Sequence, residues 1–200
     1  MKKNLLLTLF GAFVMGGIVY YYYPSSASPF LPTSKEPTTE SAPTPSPTLA
    51  VESATTTSGV HSPDGSMKLA MKKIKNADSS TYSFVVSGPE IESVEIYTKT
   101  LTTGEMSLPL NAWAPDNKYL FITESNGATD NYLIFKATGE EFSEGVTYID
   151  FLSHYNEKMK QYALRDITGW DAPGLLYVRT SGPAYWFELG SNAFYQLVQR

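Results

Sequence analysis

Two histidines and one cluster of glutamates are the residues whose types could do chemistry. His61 heads the run His-Ser-Pro-Asp-Gly, and His154 lies in Leu-Ser-His-Tyr-Asn-Glu. A hydrolytic or metal site needs such groups gathered within hydrogen-bond reach of one another. Neither histidine stands in the His-Glu-x-x-His spacing that sets two imidazoles on one helix face. No Gly-x-Ser-x-Gly elbow or Gly-rich phosphate loop is present. With no cysteine in the chain there is no Cys–His pair, thiolate metal site, disulfide framework or lipid-attachment thiol. Glu140, Glu141 and Glu144 follow a Thr-Gly turn, where solvated carboxylates are the ordinary occupants rather than a glycosidase pair. Lys72-Lys73-Ile74-Lys75 reads as the wet side of a strand. Polyanion recognition needs clustered cations, and 15 Lys and Arg are set against 20 Asp and Glu, so nucleic acid is not an expected partner. The expectation is a domain with no catalytic residue, no cofactor and no metal ligand.

The elements that would position any site begin after residue 60. Lys2 and Lys3 precede an uncharged stretch from Asn4 to Tyr23. About twenty apolar residues in a helix match the roughly 30 Å hydrocarbon core of a bilayer. Lysines before the span place the N-terminus in the cytoplasm and the rest of the chain outside it, and Tyr20 to Tyr23 sit where an interfacial aromatic belt belongs. Residues 1–23 are therefore expected to be a signal anchor that makes the protein single-pass in the cell membrane. Cleavage after the small residues at 25–28, giving a secreted domain, is the alternative. Residues 24–60 are rich in Pro, Thr and Ser and read as a disordered tether. Residues 61–200 are the expected extracytoplasmic domain.

In that domain a turn motif recurs. His61-Ser62-Pro63-Asp64-Gly65 precedes the alternating Met67, Leu69 and Met71; Trp113-Ala-Pro115-Asp116-Asn117 precedes Tyr-Leu-Phe-Ile; Trp170-Asp-Ala-Pro173-Gly174 precedes Leu-Leu-Tyr-Val. Proline presets φ, Asp or Asn accepts a backbone N–H, and Gly or Asn tolerates the φ that closes the turn. A second pattern runs an apolar strand through Thr-Gly-Glu, at 103–105 and 138–140, or through Gly-Ser-Asn at 190–192, into a further strand. These read as antiparallel hairpins. Each unit then holds four short strands, and the class is all-β in antiparallel, blade-like sheets.

These motifs resemble the TolB-like family of β-propellers, whose repeat runs Trp-Ser-Pro-Asp-Gly, an apolar strand, Ile-Tyr and then Thr-Gly-Glu. The resemblance spans most of 61–200 and none of the anchor or tether. It implies an incomplete β-propeller-like domain behind the N-terminal helix. In such a blade Trp113 and Trp170 pack between neighbouring sheets, and Asp64 and Asp116 cap turns. Closed propellers use four or more blades, whereas three units are visible and the anchor leaves no place for blades upstream. An open partial array, a more compact β-rich variant, and half of a six-bladed homodimer all satisfy this count. Serine peptidases that carry such blades need a hydrolase domain of a few hundred further residues.

Between the second and third units, Phe151, Leu152, Tyr155, Met159 and Tyr162 fall near helical spacing, with Asp150 placed to cap. A short helix over about 150–160 is expected to cover a sheet edge. Fourteen Tyr, ten Phe and three Trp exceed what the turns require, and exposed aromatics suit interfaces or sugar stacking. The functional expectation is a membrane-anchored binding module for a protein or cell-envelope polymer, with a structural accessory subunit of an envelope complex as the alternative.

Overall fold

A computed structural model describes residues 53–198 of the chain. Three antiparallel sheets follow one another, each of four consecutive strands in simple order. The first holds β1 (Ala54–His61), β2 (Lys68–Lys75), β3 (Ser80–Gly88) and β4 (Ile91–Leu101). The second holds β5 (Glu105–Ser107), β6 (Tyr119–Ser125), β7 (Asp130–Lys136) and β8 (Tyr148–Asp150). Helix α1 (Phe151–Lys158) leads to the third, of β9 (Leu164–Ala172), β10 (Leu175–Thr180), β11 (Tyr185–Glu188) and β12 (Ala193–Gln196). The all-β class with one short helix is thus observed. The expected anchor over 4–23 lies outside the described residues, and among those described no helix is long and apolar enough to cross a membrane.

Strand periodicity explains how the sheets stack. Successive side chains point to opposite faces, so Leu69 on β2 and Tyr82, Phe84 and Val86 on β3 bury one face of the first sheet. They meet Leu120 and Ile122 of β6 and Leu133 and Phe135 of β7 in one apolar cluster. The opposite parity of the second sheet, Phe121, Tyr132 and Ile134, packs on Leu176, Val178, Tyr185 and Phe187 of the third. The middle sheet is covered on both faces, as the unbroken run Leu120-Phe121-Ile122 requires.

Helix α1 starts where Asp150 predicts: its carboxylate accepts the Ser153 N–H at 3.0 Å. Phe151 and Tyr155 are fully buried. They pack on Phe194 at 6.0 and 5.7 Å between ring centres, and Phe151 also meets Phe187 at 5.3 Å. The helix fills the wedge between the second and third sheets.

Two boundaries differ from the sequence reading. Strand β1 begins at Ala54, so residues 54–60, assigned to the tether, pair residue for residue with β2 from Ala54–Lys75 to His61–Lys68. Composition marked Thr55, Thr56 and Thr57 as low complexity, yet β-branched residues suit a strand once a neighbour supplies the ladder. The expected hairpin at Thr103-Gly104-Glu105 is instead a passage between sheets: β4 pairs with β3, and after Gly104 the chain enters β5, which pairs with β6. The Cβ of any other residue at Gly104, where φ is +80°, would lie 2.3 Å from the Ser125 carbonyl. Thr138-Gly139-Glu140 lies in the long link from β7 to β8. Only Gly190-Ser191-Asn192 closes a tight hairpin, between β11 and β12.

Candidate functional site

The three recurrent turns occupy one equivalent place, the link from the first to the second strand of each sheet. In the first, the Gly65 N–H donates to the Ser62 carbonyl at 2.9 Å; in the second, the Asn117 N–H donates to the Ala114 carbonyl at 3.0 Å. Pro63 and Pro115 preset the turn, and Gly65 and Asn117 both take positive φ, +74° and +59°. Asp64 accepts the Ser66 N–H at 2.9 Å, and Asp116 accepts the Lys118 N–H at 3.2 Å. Ser62, almost fully buried, donates its hydroxyl to Asp64 and accepts the Met67 N–H. The Ser62 hydroxyl, then the Ser66 N–H and the Asn117 amide, hold the Asp64 carboxyl well below the usual carboxylate range. In the third sheet the link shortens to Pro173-Gly174 between the paired Ala172 and Leu175, with Gly174 at φ +68°.

In the second and third units the residue before the turn joins sheet to sheet. Trp113 is 4% exposed, and its indole N–H reaches the Val60 carbonyl of the first sheet at 3.4 Å. Trp170, half-buried, donates to the Ala112 carbonyl of the second sheet at 2.9 Å. Val60 and Ala112 each immediately precede the corresponding His61 and Trp113. Each indole therefore grasps the same backbone point of the preceding sheet. His61 belongs to the first sheet, where no earlier described sheet offers such a carbonyl, and it is exposed. Beside Trp170, the Asn111 side chain donates to the Thr168 carbonyl. Position 169, at φ +133°, suits glycine, since an added Cβ would lie 2.7 Å from that amide nitrogen.

The groups that could do chemistry are dispersed. His61 ends β1, and His154 lies in α1 stacked on Phe194 at 5.9 Å. Its Nε2 is buried without a partner, and burial, then the nearby Lys158, lowers its pKa from the usual value. Glu140, Glu141 and Glu144 are exposed, and Glu141 accepts the Gly145 N–H at 2.8 Å. Among the described residues no three His, Asp or Glu side chains lie close enough to hold a metal ion. Lys99 and Glu124 form a two-pronged pair at 2.6 and 2.8 Å that ties β4 to β6. Of the basic run, Lys72 and Lys75 are exposed, while Lys73 lies 5.2 Å over the Tyr82 ring.

A cleft of about 680 Å³ opens between the first two sheets, at the turn end. Met67, Ile91 and Tyr119 line it with apolar surface, and Lys118 and Glu140 are among its charged lining residues. Asn117 joins the two turns here, its amide donating to the Ser66 hydroxyl at 3.3 Å, while its Oδ1 is buried without a partner.

The two outer faces of the array are unlike. By register, the face of the first sheet turned away from the core carries Lys68, Ala70, Lys72 and Ile74 of β2, Thr81, Ser83 and Val85 of β3, and Thr98 and Thr100 of β4. Its hydroxyls pair with one another, Thr81 with Thr100 at 2.8 Å and Thr98 with Ser83 at 2.9 Å. On the third sheet the same logic turns Tyr177, Trp186 and Tyr195 outward, directly opposite one another across β10, β11 and β12. Trp186 is 36% and Tyr195 50% exposed. The Trp186 indole donates to Asp171 at 2.5 Å, so it leans across β10 toward β9. Sequence reading did not single out these three aromatics. The signal was their parity, opposite to buried Leu176, Val178, Tyr185 and Phe187. No protein-family model matches the chain, and no curated protein matches it.

Proposed function

We propose that residues 53–198 form a non-catalytic binding module, an open three-bladed β-propeller-like array, whose contact surface is the outer face of the third sheet. The apolar span over 4–23 and the Pro-rich tether would hold it on the outside of the cell membrane, where a protein or envelope-polymer partner is reached. One observation carries the reading. An in-register row of aromatics is left partly exposed at one end of the array, while the opposite end carries no aromatic row and is mostly threonine, serine and lysine. Stacked repeats need a polar terminal face for solubility, and exposed aromatic patches mark interaction sites.

The full chain in membranes of its source cells, with a photo-reactive benzoyl-phenylalanine at position 186 or at position 83, tests this. Adducts from 186 and none from 83 are expected. Equal adducts from both positions, or none from 186, would overturn the reading.

A further inference from the structure

We infer that the occupant of the aromatic face is a second copy of this chain, packed sheet on sheet about a two-fold axis that runs along the Tyr177–Trp186–Tyr195 row. The inference rests on the reading of that face as the contact surface and names what covers it.

The charges on the face are arranged in the way such pairing requires. The row crosses the three strands at right angles. Along β10, Arg179 lies two residues to one side of Tyr177 and Leu175 two residues to the other. Leu175 is flanked by acids, because Glu188 is its partner on β11 and Asp171 lies beside its other partner, Ala172, on β9. Arg179 is exposed, and Asp166, its own register partner on β9, is taken up by the Tyr132 hydroxyl of the second sheet, so one end of the face offers a cation and the other two acids, with the aromatics between them. Rotation about an axis along the row reverses strand direction and leaves each aromatic opposite its own counterpart. It also carries Arg179 over Leu175 of the other copy, between Asp171 and Glu188. The Glu188 carboxylate also accepts the Gly190 and Ser191 N–H groups of the β11–β12 turn, and the Ser191 contacts lower its pKa. A two-fold contact of this kind is self-complementary and closed. Buried aromatics ringed by charge pairs are the usual anatomy of such an interface.

A head-to-tail contact fits less well. It would lay the row against Thr81, Ser83, Thr98 and Thr100, whose hydroxyls are already paired with one another. It would also leave the next copy's aromatics open again.

The chain has no cysteine, which makes the test direct. Tyr195→Cys in the full-length protein in detergent, treated with a short bismaleimide, should give a covalent dimer. Tyr195 is half exposed on the terminal strand, and a wild-type melting curve will show that the variant folds. Arg179→Glu or Leu175→Arg added alone sets like charges opposite each other and should cut the dimer several-fold. The two together set a carboxylate opposite a guanidinium and should recover part of the dimer lost in Arg179→Glu.

Crosslinking only between Tyr195→Cys and Ser83→Cys chains in a mixture would mean head-to-tail contact and overturn the proposal. So would single charge changes without effect. In source membranes, a Trp186 photo-adduct with a different mass would refute the second copy but leave the binding face standing. Absence of any adduct would remove both.

Discussion

The first and third sheets stand at opposite ends of one array and share strand order, turn position and inner packing, yet their outer faces obey different rules. On the first, the outward parity of β2 and β3 is mostly small or charged, with Ile74 and Val85 among it, and the hydroxyls of Thr81, Thr100, Thr98 and Ser83 satisfy one another. On the third, the outward parity holds Tyr177, Trp186 and Tyr195. Leu69 on the first sheet and Phe121 on the second occupy the place of Tyr177 on the third, and both are fully buried against the next sheet. The third sheet thus presents the kind of side chain that its predecessors bury, with no further described sheet to receive it. Among the described residues the array is finished at one end and open at the other.

The comparison can be broken most forcefully at its tryptophans. Trp113→Ala empties an inter-sheet site that is 4% exposed. It should cost about 3–5 kcal/mol, a large share of a single domain's stability. Trp186→Ala, on the open face, should shift folding stability by less than about 1 kcal/mol in the monomer. Urea unfolding of full-length protein in detergent, diluted until it is monomeric and followed by near-ultraviolet circular dichroism, compares the two. Similar midpoints would mean that the inner and outer indoles are not distinct.

A smaller loss is expected from Ser62→Ala, because the hydroxyl removed accepts the Met67 N–H and donates to Asp64. Leaving that N–H without its partner should cost roughly 1–3 kcal/mol. The third sheet closes the equivalent link with Pro173-Gly174, so Pro173→Ala should cost less in the same assay. The reverse order would show that the turns are not comparable parts.

The wedge that supports the open end carries a pH dependence. Burial lowers the pKa of His154 in the folded chain below its unfolded value near 6.5. Its neutral form is therefore favoured by folding, and the associated stability is present above about pH 6.5 and lost as pH falls through the folded value. Thermal melts from pH 7.5 to 5 should fall less steeply for His154→Phe than for wild type. Parallel curves would remove His154 from the account.

The smallest effect belongs to the finished face. Thr81→Val deletes one hydroxyl of an exposed pair and should stay within about 0.5 kcal/mol. It should also leave crosslinking through the third sheet unchanged. A loss of crosslinking would place the first sheet in the contact and erase the difference between the ends.

Much of this architecture was legible in the residues. Pro63 and Pro115 with the following Asp and Gly or Asn announce turns by local chemistry alone, and Asp150 ahead of Phe151 announces the helix. Residues 54–60 were not legible, because a threonine-rich segment becomes a strand only when β2 offers it a ladder. Thr103-Gly104-Glu105 misled for a related reason: a turn residue states that the chain bends, not which sheet it joins afterwards. Nor could Asn117 be assigned its link to Ser66, which is 51 residues away in sequence.

The sequence by itself determined where strands alternate, where they turn and which parity of each strand is apolar, since these follow from φ preference and a period of two. Tertiary structure alone decided which parity is covered. The pattern Leu-Leu-Tyr-Val-Arg-Thr reads the same whether or not another sheet lies over Tyr177. Only the stacking order leaves Tyr177, Trp186 and Tyr195 at the end of the array, because burial belongs to pairs of surfaces rather than to a strand.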